Sequence, residues 1–270
     1  MNDGTALNKM PVEVEDDRVR YTLVVEGERI AMNELVGMPF GLRATGVLSC
    51  IVCGRRVKKH YGQGFCFPCL QSAPEASECI VRPELCQAHL GGGRDPEWER
   101  AHHATEHVVY LSYTGDVKVG VTRSTQVPTR WVDQGAVAAL IIARVPYRQL
   151  AGALEVAIKN VMADRTNWRA MLKKVDPSDE LLLLARDRAF EQVSGDLREH
   201  LVTDATAQHL HYPVVDHPAK VTSVNLAKDP LLTGRLVGLK GQYLMWEDGR
   251  VLNVRSHSGV HVVRENVARV

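Results

Sequence analysis

What this chain lacks narrows what it does. No run of about 18 apolar residues occurs, the length a helix needs to cross a bilayer. Nor does Met1 to Met10 offer the basic stretch followed by an apolar one that marks a secretory leader. Together these predict a protein of the cytoplasm with no membrane partner. Cysteine is absent outside residues 50–86, where all six occur, and in a reducing compartment such clustering reads as metal binding before disulfides. There is no internal repeat. Net charge is nearly absent as well, at +1 over 270 residues.

That near-zero balance hides a segregation. Between Lys118 and Lys174 stand ten Lys or Arg against three acids, a local excess of +7, so the rest of the chain sums to −6. Clustered cations neutralise phosphates and release counterions, which makes the stretch a candidate contact for DNA or RNA. The alternative is a solvated basic face set against the acidic segment 175–204, where eight acids face three arginines.

With 45% hydrophobic and 24% charged residues, the composition is globular and supports one full core with smaller satellites. Tyr21 to Val25, then Glu26-Gly27-Glu28, then Arg29 to Met32 predict a small hairpin. Residues 49–107 are rich in Gly, Pro and polar side chains, as expected where metal replaces an apolar core. Val108 to Tyr113 and Val117 to Thr122 flank Thr114-Gly115-Asp116 and predict a second hairpin. A three-residue loop sets Leu111 opposite Val119 and Val109 opposite Val121 on one apolar face; Tyr110 then lies opposite Gly120, whose missing Cβ leaves room for the phenol ring. Helices are predicted over Arg148 to Ala163, with Leu150, Leu154, Ile158 and Val161 on one stripe, and over Asp179 to Leu201. Residues 220–270 read as strands, with Glu247-Asp248-Gly249 as a turn. The expected fold class is α+β, divided as an N-terminal β segment (1–45), a zinc-binding region (46–107), an α/β core with helical extension (108–215) and a C-terminal small β module (216–270).

Cys50-x2-Cys53-x12-Cys66-x2-Cys69 is a pair of C-x-x-C knuckles whose separation lets four thiolates converge on one zinc, a closed and therefore structural site. Cys79, Cys86 and His89 form a second constellation. Its fourth ligand is open among His102, His103 and His107, with His103 favoured, and Glu78 or Glu84 is an alternative oxygen donor. One or two zinc ions are thus expected.

Val108-Val109-Tyr110, Lys118-Val119-Gly120, Arg130 and Glu155 follow one another in an order and spacing that resembles the GIY-YIG nuclease core. More closely, the chain looks like a bacterial family of domain-of-unknown-function proteins that place a zinc ribbon ahead of such a core. That likeness runs through Cys79-Ile-Val-Arg-Pro-Glu-Leu-Cys86, Lys118-Val-Gly-Val-Thr-Arg123, Arg130-Trp-Val-Asp-Gln-Gly-Ala136, Asp164-Arg-Thr-Asn-Trp-Arg169 and Gly238-Leu-Lys-Gly-Gln-Tyr-Leu244. The GIY-YIG resemblance implies a small antiparallel sheet flanked by helices and metal-dependent hydrolysis of phosphodiesters. It implies Glu155 as ligand of a Mg or Mn ion, Arg130 as the clamp on the phosphate, Tyr110 as general base or relay, Lys118 as added positive charge and Gly120 as a site residue in the order of the second motif. Two features depart from the pattern: Val108-Val109 stands for Gly-Ile, and Lys118-Val119 for Tyr-Ile, so the second tyrosine is missing. The alternatives are a non-catalytic nucleic-acid-binding or regulatory protein, or the same scaffold acting on a small molecule.

Overall fold

In the computed structural model, residues 3–162 and 167–267 are described. The chain divides into two units, Met1–Gln71 with His211–Val270, and the continuous stretch Ser72–Leu210. The first unit therefore takes in the 1–45 segment, the four-cysteine part of 46–107 and the strands of 216–270. Asp164, Arg165, Thr166 and the expected helix end at Ala163 lie outside the described residues.

The first unit begins with β1 (Thr5–Ala6), β2 (Val12–Glu15), β3 (Arg18–Val25), β4 (Glu28–Ala31) and β5 (Pro39–Leu48), followed by the short helix α1 (Phe67–Ser72). In β3, Val19, Tyr21, Leu23 and Val25 are buried at the two-residue period of a strand with one face on a core. β4 supplies the hairpin expected from the sequence, and β2 adds a strand on the other edge of β3. Both connections are two-residue loops, Asp16-Asp17 and Glu26-Gly27, with all four residues at positive φ. A two-residue turn of this kind matches the right-handed twist of the strands it joins.

The second unit contains α2 (Pro96–His102), β6 (His107–Tyr113), β7 (Val117–Arg123), α3 (Thr129–Asp133), β8 (Ala138–Val145), α4 (Arg148–Ile158), α5 (Trp168–Met171), α6 (Asp179–Gln192) and β9 (Gln208–His209). Its antiparallel sheet runs in the order β7-β6-β8-β9. The hairpin register is the one the apolar alternation predicts: Val109 faces Val121, Tyr110 faces Gly120 and Leu111 faces Val119. Val109, Leu111, Val119, Leu140 and Ile142 pack with Ala151, Leu154 and Ile158 of α4 and Leu182 and Ala189 of α6 in one buried cluster. The helix expected from Asp179 to Leu201 stops at Gln192, where Val193 turns extended; Gly195 at φ +60 then starts a separate 3-10 turn, Gly195–His200.

Back in the first unit, the chain forms β10 (Thr222–Ser223), β11 (Leu231–Lys240), β12 (Tyr243–Trp246), β13 (Arg250–Asn253) and β14 (Val260–Glu265). The Glu247-Asp248-Gly249 turn joins β12 to β13 as expected, with Gly249 at φ +84. The module predicted for 216–270 does not stand alone, however: its strands continue into a sheet ordered β1-β14-β5-β11-β12-β13-β10. The ten-residue β5 has two open edges, and β11 and β14 cover one each, satisfying backbone groups that would otherwise template wrong pairings. No helix among the described residues is long and apolar enough to cross a membrane.

Candidate functional site

The four-cysteine site is built from local backbone turns. Cys50 follows β5, and its N–H donates to Arg55 O at 2.9 Å, while the Gly54 N–H returns to Cys50 O at 3.0 Å, closing the first knuckle. The second knuckle follows a tight loop pairing Tyr61 with Phe65; Cys66 immediately precedes α1 and Cys69 lies within it. The donor atoms of Cys50, Cys53, Cys66 and Cys69 lie within 4.8 Å of one another. Cys53 Sγ and Cys66 Sγ are 3.8 Å apart. A zinc ion with bonds of about 2.3 Å to four tetrahedral sulfurs separates those sulfurs by about 3.8 Å, so the cage fits the ion that the sequence implied. Burial works against ionisation of Cys50, but N–H groups of Cys53, Cys66 and Val52 directed at its sulfur outweigh it and bring the thiol down to about 6. The thiolate needed for coordination is thus already favoured.

The second constellation assembles differently from its expected form. Cys79, Cys86, Glu99 and His103 bring their donor atoms within 4.8 Å of one another, and all four residues are buried. His103 takes the place foreseen for it. His89 does not belong: its ring stacks on Tyr147 with centroids 4.5 Å apart and planes 4° from parallel, and it is replaced by Glu99. Glu78 and Glu84, the oxygen donors considered from sequence, both pair with Arg82 instead. His102 lies flat on Trp98, and His107 hydrogen-bonds Thr105 O. The reason for Glu99 is helical geometry. Asp95 caps α2 through the N–H groups of Glu97 and Trp98, Pro96 occupies the first turn, and residues four apart then share a face, so Glu99 meets His103.

Tyr110 is fully buried in β6, and its hydroxyl donates to Gln134 Oε1 at 2.8 Å. Its ring packs against Trp131, with centroids 5.9 Å apart, and covers Gly120, where an added Cβ would come within 2.8 Å of the phenolic oxygen. Burial raises the phenol above its ordinary value; a charge and a hydrogen bond from Arg130 oppose this, and the Glu155 carboxylate adds to it. Tyr110, Arg130 and Glu155, from β6, α3 and α4, therefore share one electrostatic neighbourhood. Glu155 is buried and lies 3.7 Å from Lys159 Nζ. Lys118 does not join this group: its buried ammonium donates to Thr114 Oγ1 at 3.1 Å, and burial lowers its proton affinity. The role of general base does not fit Tyr110, because a phenol raised above 10 keeps its proton at neutral pH.

Two further residues escaped the sequence reading. Gln134 holds the phenol, and it carried no signal beyond its place in the segment after Arg130. Arg148 looked like one more cation of the basic stretch, yet it is half-buried and turned inward, with Nε donating to Cys79 O at 3.0 Å and Nη2 to Ile80 O at 3.1 Å. Other cations there are also engaged: Arg144 pairs with Glu106, and Arg169 lies over the Trp168 ring.

A family model described as "Protein of unknown function (DUF2797)" matches residues 37–262, more than four-fifths of the chain. The chain belongs to the DUF2797 family. No curated protein and no solved structure matches it. The DUF2797 match spans both thiol sites and the Tyr110 neighbourhood, and it attaches no chemistry to either. Resemblance to the GIY-YIG core accordingly rests on the residues alone.

Proposed function

We propose that this DUF2797 member is a metal-dependent phosphodiesterase acting on DNA or RNA, with a structural zinc in its four-cysteine ribbon. The observation that carries the reading is that Tyr110 feels the charges of both Arg130 and Glu155, a phenol, a guanidinium and a carboxylate drawn from three separate elements. Arg130 supplies the positive charge that a phosphate in a transition state requires. Tyr110 is then a protonated positioning residue, anchored by Gln134. Glu155 suits Mg or Mn, which commonly bind proteins through one or two carboxylates and complete their shell with water and substrate oxygens. Such an ion supplies Lewis acidity at the scissile phosphate. Lys159 neutralises Glu155 otherwise.

Incubating the full chain with Mg or Mn and assorted single- and double-stranded nucleic acids tests this. Cleavage is expected to fall about a hundredfold or more in Arg130→Ala and in Glu155→Ala. Equal cleavage by both variants and the parent protein would remove the assignment. Binding without turnover is the second reading, favoured by the retained proton of Tyr110, which leaves that residue unable to act as base. It requires affinity that weakens steeply with added salt.

A further inference from the structure

Helix α4 carries Glu155, but its first turn is not held by the usual means. Tyr147, at the N-cap, offers no side-chain hydrogen bond to the helix. Instead the Arg148 N–H donates to His103 O at 2.8 Å, and the Arg148 guanidinium reaches Cys79 O and Ile80 O. Tyr147 stacks on His89. One turn further on, Gly152 lies so close to the 3-10 turn Pro83–Leu85 that an added Cβ would stand 2.2 Å from Glu84 N. Every one of these contacts lands on the stretch from Cys79 to His103.

That stretch has little apolar material of its own. Its buried cluster consists of Cys79, Cys86 and Ala88, with Ala104 packed against them. So small a core does not offset the entropy of ordering the successive 3-10 turns Glu78–Ile80, Pro83–Leu85 and Ala88–Leu90. Glu99 and His103 are meanwhile buried beside two thiols, an expensive arrangement for a carboxylate unless a cation compensates it. We infer that Cys79, Cys86, Glu99 and His103 bind a second zinc ion, and that this centre is the platform on which α4 is seated. Two sulfurs, one nitrogen and one oxygen close a tetrahedron with no open position, so the ion is structural. The thiols release their protons to solvent on binding, and no electron is transferred. Two thiolates and a carboxylate around Zn²⁺ leave one net negative charge, which the half-buried Arg148 balances from the Cys79 and Ile80 carbonyls. Arg148 is thus a positioning residue joining the metal platform to the helix. The consequence for Glu155 rests on the phosphodiesterase reading; the metal centre does not.

Elemental analysis of the purified full chain should give two zinc equivalents, falling to one in Cys79→Ser and in His103→Ala. Loss of that equivalent should speed hydrogen exchange at the amides of 151–158 at least tenfold, while β3 is unchanged. Should these variants not fold, cobalt replaces zinc in the parent chain, and the sulfur-to-metal absorption should have the intensity of six thiolates. One equivalent in the parent chain, absorption matching four thiolates, or unchanged exchange in α4 after loss of the second ion would each overturn the inference. Both measurements are made without nucleic acid, so absent nuclease activity leaves this result standing, and the reverse holds too.

Discussion

The two thiol clusters solve one chemical problem in opposite ways. In the ribbon, all four donors come from two knuckles within 20 residues; Cys53 is exposed and Cys69 half-buried, and backbone N–H groups aimed at sulfur do the stabilising. In the second cluster the donors come from a 3-10 turn, a loop and α2, and all are buried. The ribbon is a self-contained knot of backbone. The second site is a junction between elements, and what it holds includes the neighbouring helix. Local spacing specifies the first kind of site, whereas only tertiary packing completes the second.

The contrast breaks most visibly at the ribbon. Cys66→Ser removes a ligand from a site whose binding free energy is folding free energy, on the order of 10 kcal/mol for structural zinc. Expected is loss of one zinc equivalent together with protease sensitivity confined to 50–69; an intact segment with no metal would mean the knuckles fold unaided. Smaller is the effect at the platform under α4. Gly152→Ala improves helix propensity by about 1 kcal/mol, yet its methyl would collide with the Pro83–Glu84 backbone, at 2.5 Å and 2.2 Å. Because the obstacle is backbone that cannot swing aside, overpacking should reach the upper end of its usual range, about 3 kcal/mol, and win, giving a net loss of about 2 kcal/mol in thermal unfolding. A rise in melting temperature would show that the turn gives way and that the seat is soft. Smallest is the change at the candidate phosphate site. Gly120→Ala sets a methyl 2.8 Å from the Tyr110 oxygen, and should cost about 1–2 kcal/mol, part of which Tyr110→Phe recovers in a double-mutant cycle. Simple additivity there would mean that ring and glycine do not press on each other.

What was legible in the sequence follows the same division. The ribbon and the β6–β7 register could be read because their determinants lie within a few residues: paired knuckles, alternating apolar side chains and a three-residue loop. Glu99 was legible in principle, since Asp95-Pro96 announces a helix start and Glu99 stands four residues before His103. Glu78 and Glu84 stand nearer the cysteines in sequence, and spacing alone favours them over Glu99. The two-sided pairing of β5 was not legible, because its neighbours β11 and β14 lie more than 180 residues away and their alternation is equally compatible with a separate module. The inward placement of the buried Lys118 and the half-buried Arg148 was hidden for a related reason. A charge count sees the residue, and only packing reveals that the long side chain is used internally to hold Thr114 or two carbonyls.

The pairing of β5 with strands from the far end of the chain carries a consequence for synthesis. At 5–20 residues per second, β5 emerges from the ribosome roughly 10 to 40 s before β11, and β14 follows later still. The continuous stretch 72–210 can complete its own fold in that interval, while β5 waits with both hydrogen-bonding edges bare. The nascent chain is therefore most vulnerable to aggregation through an early strand, and that vulnerability ends only when β11 and β14 have been made.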